Sequence, residues 1–183
     1  STTLQPVEGE DVNFIHDDSN SAFFNVSVQG EDVTGAEIRD VTFDFDESAN
    51  APSGVNVTGG SAADGTGVDD ITLSGVTFTN PGDSGVTEAV IINSTAGGTS
   101  DGGVTLSDVT FDGEPDSADG FRDATAVNVT SSVNSNLQLT IEDSTFDGFR
   151  HGINTTVGID TATIENNQFT NAEVYVQDST LDL

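Results

Sequence analysis

The chain has 183 residues, the length of one ordinary domain or of a short repeat array, and sets 32 Asp and Glu against three arginines and no lysine, for a formal charge of −29. Nothing in it can neutralise nucleic-acid phosphates or draw it to an anionic membrane, so neither partner is expected. Without cysteine there is no disulfide, thiolate nucleophile or Cys-bound metal, and no apolar run approaches the ~18 residues that span a bilayer.

Residues 1–10 (STTLQPVEGE) read as an N-terminal arm or cap ahead of a domain over residues 11–183. A start at Ser1 fits a removed export signal, and equally the loss of an initiator Met before a small residue. From there two motifs alternate along the chain. The first is Phe24-Asn25-Val26, an Asn between two apolar residues. The second is Glu37–Phe43 (EIRDVTF), an alternating stretch that turns at an Asp and resumes to a Phe. The first motif returns as Val55-Asn56-Val57, Ile92-Asn93-Ser94, Val127-Asn128-Val129 and Ile153-Asn154-Thr155. Between and after these, the second returns as Ile71–Phe78, Val104–Phe111, Leu139–Phe146, Ala162–Phe169 and, less completely, Val174–Leu181. Its Phe positions 43, 78, 111, 146 and 169 are 35, 33, 35 and 23 residues apart, which fits one coil per repeat with connections of varying length.

No segment keeps a 3.6-residue period, β-branched residues dominate, and Gly and Asp punctuate the chain, so helices are not expected. Successive side chains on a strand face opposite ways, so if the Val and Ile of each Asn motif point inward, the Asn points out. These observations predict an all-β chain, a single right-handed parallel β-helix of about six coils with three short strands per coil. At ~4.8 Å per coil the stack would be roughly 29 Å long. A β-sandwich or jelly roll is the alternative, but would not repeat the same strand triplet with a Phe in register. The run Ala162–Asn171 (ATIENNQFTN) resembles the coil repeat of pectin-lyase-like right-handed β-helix proteins, which include secreted polysaccharide enzymes and surface proteins. The resemblance extends over roughly residues 10–183 and implies an architecture, not an activity. The composition resembles that of proteins from extreme halophiles, haloarchaea above all. At molar salt the screening length falls to about 3 Å and self-repulsion is largely removed.

Several residues are candidates for function. Asn25, Asn56, Asn93, Asn128 and Asn154 each begin an N-x-Ser/Thr sequon, so a line of glycans on an exported protein is one reading. Stacked Asn side chains bonded between coils are the other. The Asp- and Glu-bearing loops over residues 59–70 and 112–123 lack calcium-loop spacing, and neither a metal site nor a cofactor is expected. Phe121, Arg122, Phe149, Arg150 and His151, in the related runs DGFRD and DGFRH, are weak candidates for contact with carbohydrate; Phe covering a turn while Arg pairs with a nearby Asp is the simpler account. No catalytic set stands out. Ser179, Thr180, Leu181, Asp182 and Leu183 read as the opening strand of a further coil, and so as candidates for self-association by strand addition. Taken together, the sequence leads to the expectation of a non-enzymatic extracellular structural protein of a halophile, self-associating into a filament or envelope assembly. A virus-particle decoration or receptor-binding β-helix is an alternative, and a carbohydrate-binding or polysaccharide-cleaving one another.

Overall fold

The computed structural model describes residues 2–4, 12–15, 24–28, 36–45, 53–59, 71–79, 88–94, 103–113, 122–130, 137–156, 159–176 and 180–182. The first turn of chain carries β1 (Thr2–Leu4), β2 (Val12–Ile15) and β3 (Phe24–Val28). The second carries β4 (Ala36–Arg39), β5 (Val41–Asp44) and β6 (Ser53–Gly59). Next come β7 (Ile71–Ser74), β8 (Thr77–Thr79) and β9 (Glu88–Ser94), then β10 (Gly103–Ser107), β11 (Thr110–Asp112) and β12 (Arg122–Val129). The fifth turn holds β13 (Gln138–Glu142), β14 (Thr145–Asp147) and β15 (Phe149–Thr155). The sixth holds β16 (Thr161–Glu165), β17 (Gln168–Thr170) and β18 (Glu173–Val176), and β19 (Thr180–Asp182) opens a seventh.

Each turn gives one strand to each of three parallel sheets, which among the described residues contain seven, six and six strands. This is a parallel β-helix. Of the residues expected as an arm or cap, Thr2–Leu4 is already a rung, pairing with Ala36–Ile38. Thr2, Ala36, Ile71, Val104, Leu139, Ala162 and Leu181 lie one above the next, in steps of 34, 35, 33, 35, 23 and 19 residues. The turns therefore shorten towards the C-terminal end.

The repeat is built by columns of like residues. Phe43, Phe78, Phe111, Phe146 and Phe169 form one ladder of rings, with centroids 5.2, 5.2, 4.7 and 4.6 Å apart and planes within 14° of parallel. Phe14, in register with Phe43, extends the column by one backbone position. Opposite it, the first sheet stacks Ile38, Leu73, Leu106, Ile141 and Ile164, and the third stacks Val55, Val90, Val127 and Ile153, all buried. Parallel strands are shielded here on one face only, because the inward positions of three sheets share a single core.

In the second to sixth turns the corner between the first and second strand is set by Asp40, Gly75, Asp108, Asp143 and Asn166, with φ between 50° and 62°. This left-handed conformation is tolerated by Gly and, among residues with a Cβ, best by Asn and Asp. The small or acidic residue at which each repeat turns is thus a backbone requirement. The N–H groups of Asp40, Gly75, Asp108 and Asp143 donate to the carbonyls of Ser74, Ser107, Glu142 and Glu165 one coil on, at 3.0–3.2 Å. At the second corner Gly148 has φ 71°, and a Cβ there would run into the Gly113 carbonyl of the coil below.

The segment Val174–Leu181, expected as a sixth copy of the turning motif, is instead divided between two sheets. Glu173–Val176 pairs with β15 in the third sheet and Thr180–Asp182 with β16 in the first. Alternation in VYVQ matched an opening strand, but alternation says only that a strand has two faces, not which sheet it joins.

Candidate functional site

The outer face of the third sheet carries the sequon asparagines. Val90 and Ile92 bury their side chains in register with Val55 and Val57, which turns Ile91 outward and places it opposite Asn56 and Asn128. The outward column therefore reads Asn56, Ile91, Asn128, Asn154, Tyr175, with Asn25 in backbone register with Asn56. Asn93 stands two residues further along β9, opposite Thr58. All five asparagines do lie on the third strand of successive turns, but Asn93 is out of the column into which the sequence pattern put it. A two-residue slip keeps every side chain on the same face, so period-2 reasoning is blind to it.

Within the column the amides bond from coil to coil. Asn154 Nδ2 donates to Asn128 Oδ1 at 3.2 Å, and Asn128 Nδ2 donates to Glu88 Oε1 at 3.0 Å. Asn128 is 9% exposed, so its amide is taken up in the ladder, and Asn56 is engaged as well. Of Asn25 only the backbone register with Asn56 is described.

The described members of the group named as candidates for carbohydrate contact do not form one exposed patch. Phe149 is fully buried, its ring edge-on to Phe111 at 6.1 Å and 84°, so it belongs to the core and offers no stacking face. Arg122 is in register with Phe149 rather than with Arg150, and a bulge follows, so the two arginines do not share a column. Arg150 is exposed; Phe121 lies outside the described residues, as does the side chain of Arg122. His151 sets its Nδ1 3.9 Å from Glu173 Oε2 on the next coil, and that nitrogen, screened from solvent, has no hydrogen bond among the described residues. Among the described residues no three His, Asp or Glu side chains gather where they could hold a metal ion. Of the acidic loops, residues 59–70 and 112–123, only Gly59, Asp112, Gly113, Arg122 and Asp123 fall within the described residues.

The C-terminal end is built differently from the middle. One inward position passes from Val41, Val76 and Val109 to Ser144 and Asn167, and a second from Val57, Ile92 and Val129 to Thr155. Ser144 Oγ accepts from the Val109 N–H at 3.1 Å and donates to the Glu142 carbonyl at 2.8 Å. Asn167 accepts from the Ser144 N–H at 2.9 Å and donates to the Ile141 carbonyl at 2.8 Å. Sequence reading missed these positions, although polar residues where earlier repeats carry Val were the available signal. Such side chains satisfy backbone groups that neighbouring coils supply elsewhere, and they tolerate water where the core thins.

Beyond them, β17 and β18 are the outermost strands of their sheets among the described residues. Val174, in register with the buried Ile153, is 41% exposed, and Tyr175 is 53% exposed. Thr180, Leu181 and Asp182 do form the first strand of a further turn, described by backbone pairing only, while Ser179 and Leu183 lie outside the described residues. Comparison with protein-family models, with curated proteins and with solved structures finds no significant match for this chain.

Proposed function

We propose that this chain is a non-enzymatic building block of an extracellular surface in a halophile, which associates with further copies of itself through its end coils into a filament or envelope layer. The observation that carries this reading is the C-terminal rung. There β17 and β18 present strand edges without a neighbour among the described residues, beside a core position, Val174, and the tyrosine Tyr175 that stand open. Unpaired parallel edges over an exposed apolar rung are the template on which another strand adds. Two pairs of in-register carboxylates, Asp112 with Asp147 and Glu142 with Glu165, support the halophilic part, since like charges on adjacent strands repel unless salt screens them. The burial of Phe149 weakens the reading as a sugar-binding or sugar-cleaving protein.

Light scattering in ~3 M salt, where screening is nearly complete, tests the proposal. Particles well above the 18.8 kDa of one chain are expected, and Val174→Lys, which places a charge at the open rung, should reduce them towards monomer. A monomer at all accessible concentrations would remove the reading.

A further inference from the structure

The sequon asparagines are not equivalent once they are placed on the coils. We infer that Asn93 is an attachment site for an N-linked sugar, and that Asn128 and Asn154 stay unmodified as struts between coils.

Attachment joins the anomeric carbon of the sugar to Nδ2 of the asparagine. The amide gives up one of its two protons, and the bond from the anomeric carbon to the phosphate of an activated, lipid-linked sugar phosphate breaks, the phosphate leaving with the electron pair. The acceptor Nδ2 must therefore offer a free N–H and have room for a pyranose ring. Asn128 lacks the room, being 9% exposed, and one of its two Nδ2 protons is already given to Glu88. Asn154 commits Nδ2 to Asn128 Oδ1, and the two residues are in register on adjacent coils, only ~4.8 Å apart, a spacing too small for a sugar on each.

Asn93 differs on each count. It lies outside the ladder, opposite Thr58, next to the C-terminal residue of β9. On the other side, Val129 is in register with Ile92, so that Thr130 follows beside Asn93. Its neighbours on both coils are thus threonines rather than asparagines. It is half-buried, and among the described residues no hydrogen bond holds its amide. The residue that a register slip removed from the column is the one that slip leaves accessible.

This assignment rests on the extracellular placement proposed above. The three arginines make the test simple, because trypsin divides the chain into 1–39, 40–122, 123–150 and 151–183. Asn128 and Asn154 then lie on separate fragments, and Asn56 shares the 40–122 fragment with Asn93. Protein from its native source, or from a host that glycosylates exported proteins, should show added sugar mass on 40–122 and none on 123–150 or 151–183. Asn93→Gln should lose that mass with its melting temperature unchanged, and Asn56→Gln should keep it. Sugar mass on 123–150 or 151–183, its persistence in Asn93→Gln, or its absence from 40–122 would overturn the assignment. Light scattering on the same preparations separates the two proposals: assembled protein without sugar on Asn93 removes this one alone, and monomer with that sugar removes the other.

Discussion

Replacing Phe111 by Ala should be among the most destabilising single changes in this chain. Phe111 is fully buried at the centre of the ring ladder, stacked on Phe78 at 5.2 Å and 6° and on Phe146 at 4.7 Å and 14°, with Phe149 edge-on at 6.1 Å. Truncating a buried Phe costs about 3–5 kcal/mol in transfer and cavity terms. The upper part of that range is expected, because neighbours fixed in register above and below cannot collapse into the gap. Phe169 ends the described ladder, has one ring partner at 4.6 Å and is only partly buried. Its truncation should cost about 1–1.5 kcal/mol, roughly half of a full side-chain burial. Denaturant unfolding at one fixed high salt concentration, compared at constant slope, gives both values. A double-mutant cycle sharpens the test. Phe111→Ala with Phe146→Ala removes a shared ring contact, so the pair should cost about 0.5–1.5 kcal/mol less than the sum. Phe43 and Phe146 are three coils apart, roughly 14 Å, and their truncations should add. If Phe111→Ala cost no more than Phe169→Ala, or if neighbouring and distant pairs coupled alike, the ladder would not be what holds the coils together.

Two further expectations follow from other columns. Ser144→Ala removes only the hydroxyl and so withdraws the acceptor from the buried Val109 N–H, and should cost about 1–3 kcal/mol; thermal unfolding that matched the parent would show that the hydroxyl is dispensable. Glu142→Gln relieves the in-register repulsion from Glu165 and should stabilise by about 0.2–1 kcal/mol. The gain should be visible near 0.1 M salt, where screening reaches about 10 Å, and absent near 3 M; equal shifts of melting temperature in both would separate this pair from the salt response.

The parts of the fold that recur as the same residue in each turn could be read from the sequence. Phe43 to Phe169 announced a ladder because a ring best stacks on a ring, and the Asp, Gly or Asn before the second strand announced a turn, though not its left-handed conformation. Phe14 escaped, although Val12-Asn13-Phe14 matches Val41-Thr42-Phe43, because no recognisable opening strand preceded it. The placement of Asn93 was not legible, since four apolar residues in a row, Ala89-Val90-Ile91-Ile92, leave the choice of buried positions to the neighbouring coils. Phe149 was left between two readings for a related reason. An aromatic residue beside an arginine suits either a sugar platform or a core edge, and only the position of Phe111 decides. The polar inward columns at Ser144, Asn167 and Thr155 were hidden because each replaces Val by a residue also common on outer faces.

The shortening of the turns bears on how readily each coil closes. Early rungs pair residues 33–35 positions apart, whereas Ala162 and Leu181 are separated by 19. Closure entropy grows with the logarithm of the span, about 0.6 kcal/mol per doubling. The final closure is thus favoured by about half a kcal/mol over the early ones, a factor of two to three in equilibrium terms. Where the apolar rungs give way to polar ones, the chain spends less conformational freedom in winding, and the weaker lateral packing of that end is offset in part by the shorter tether.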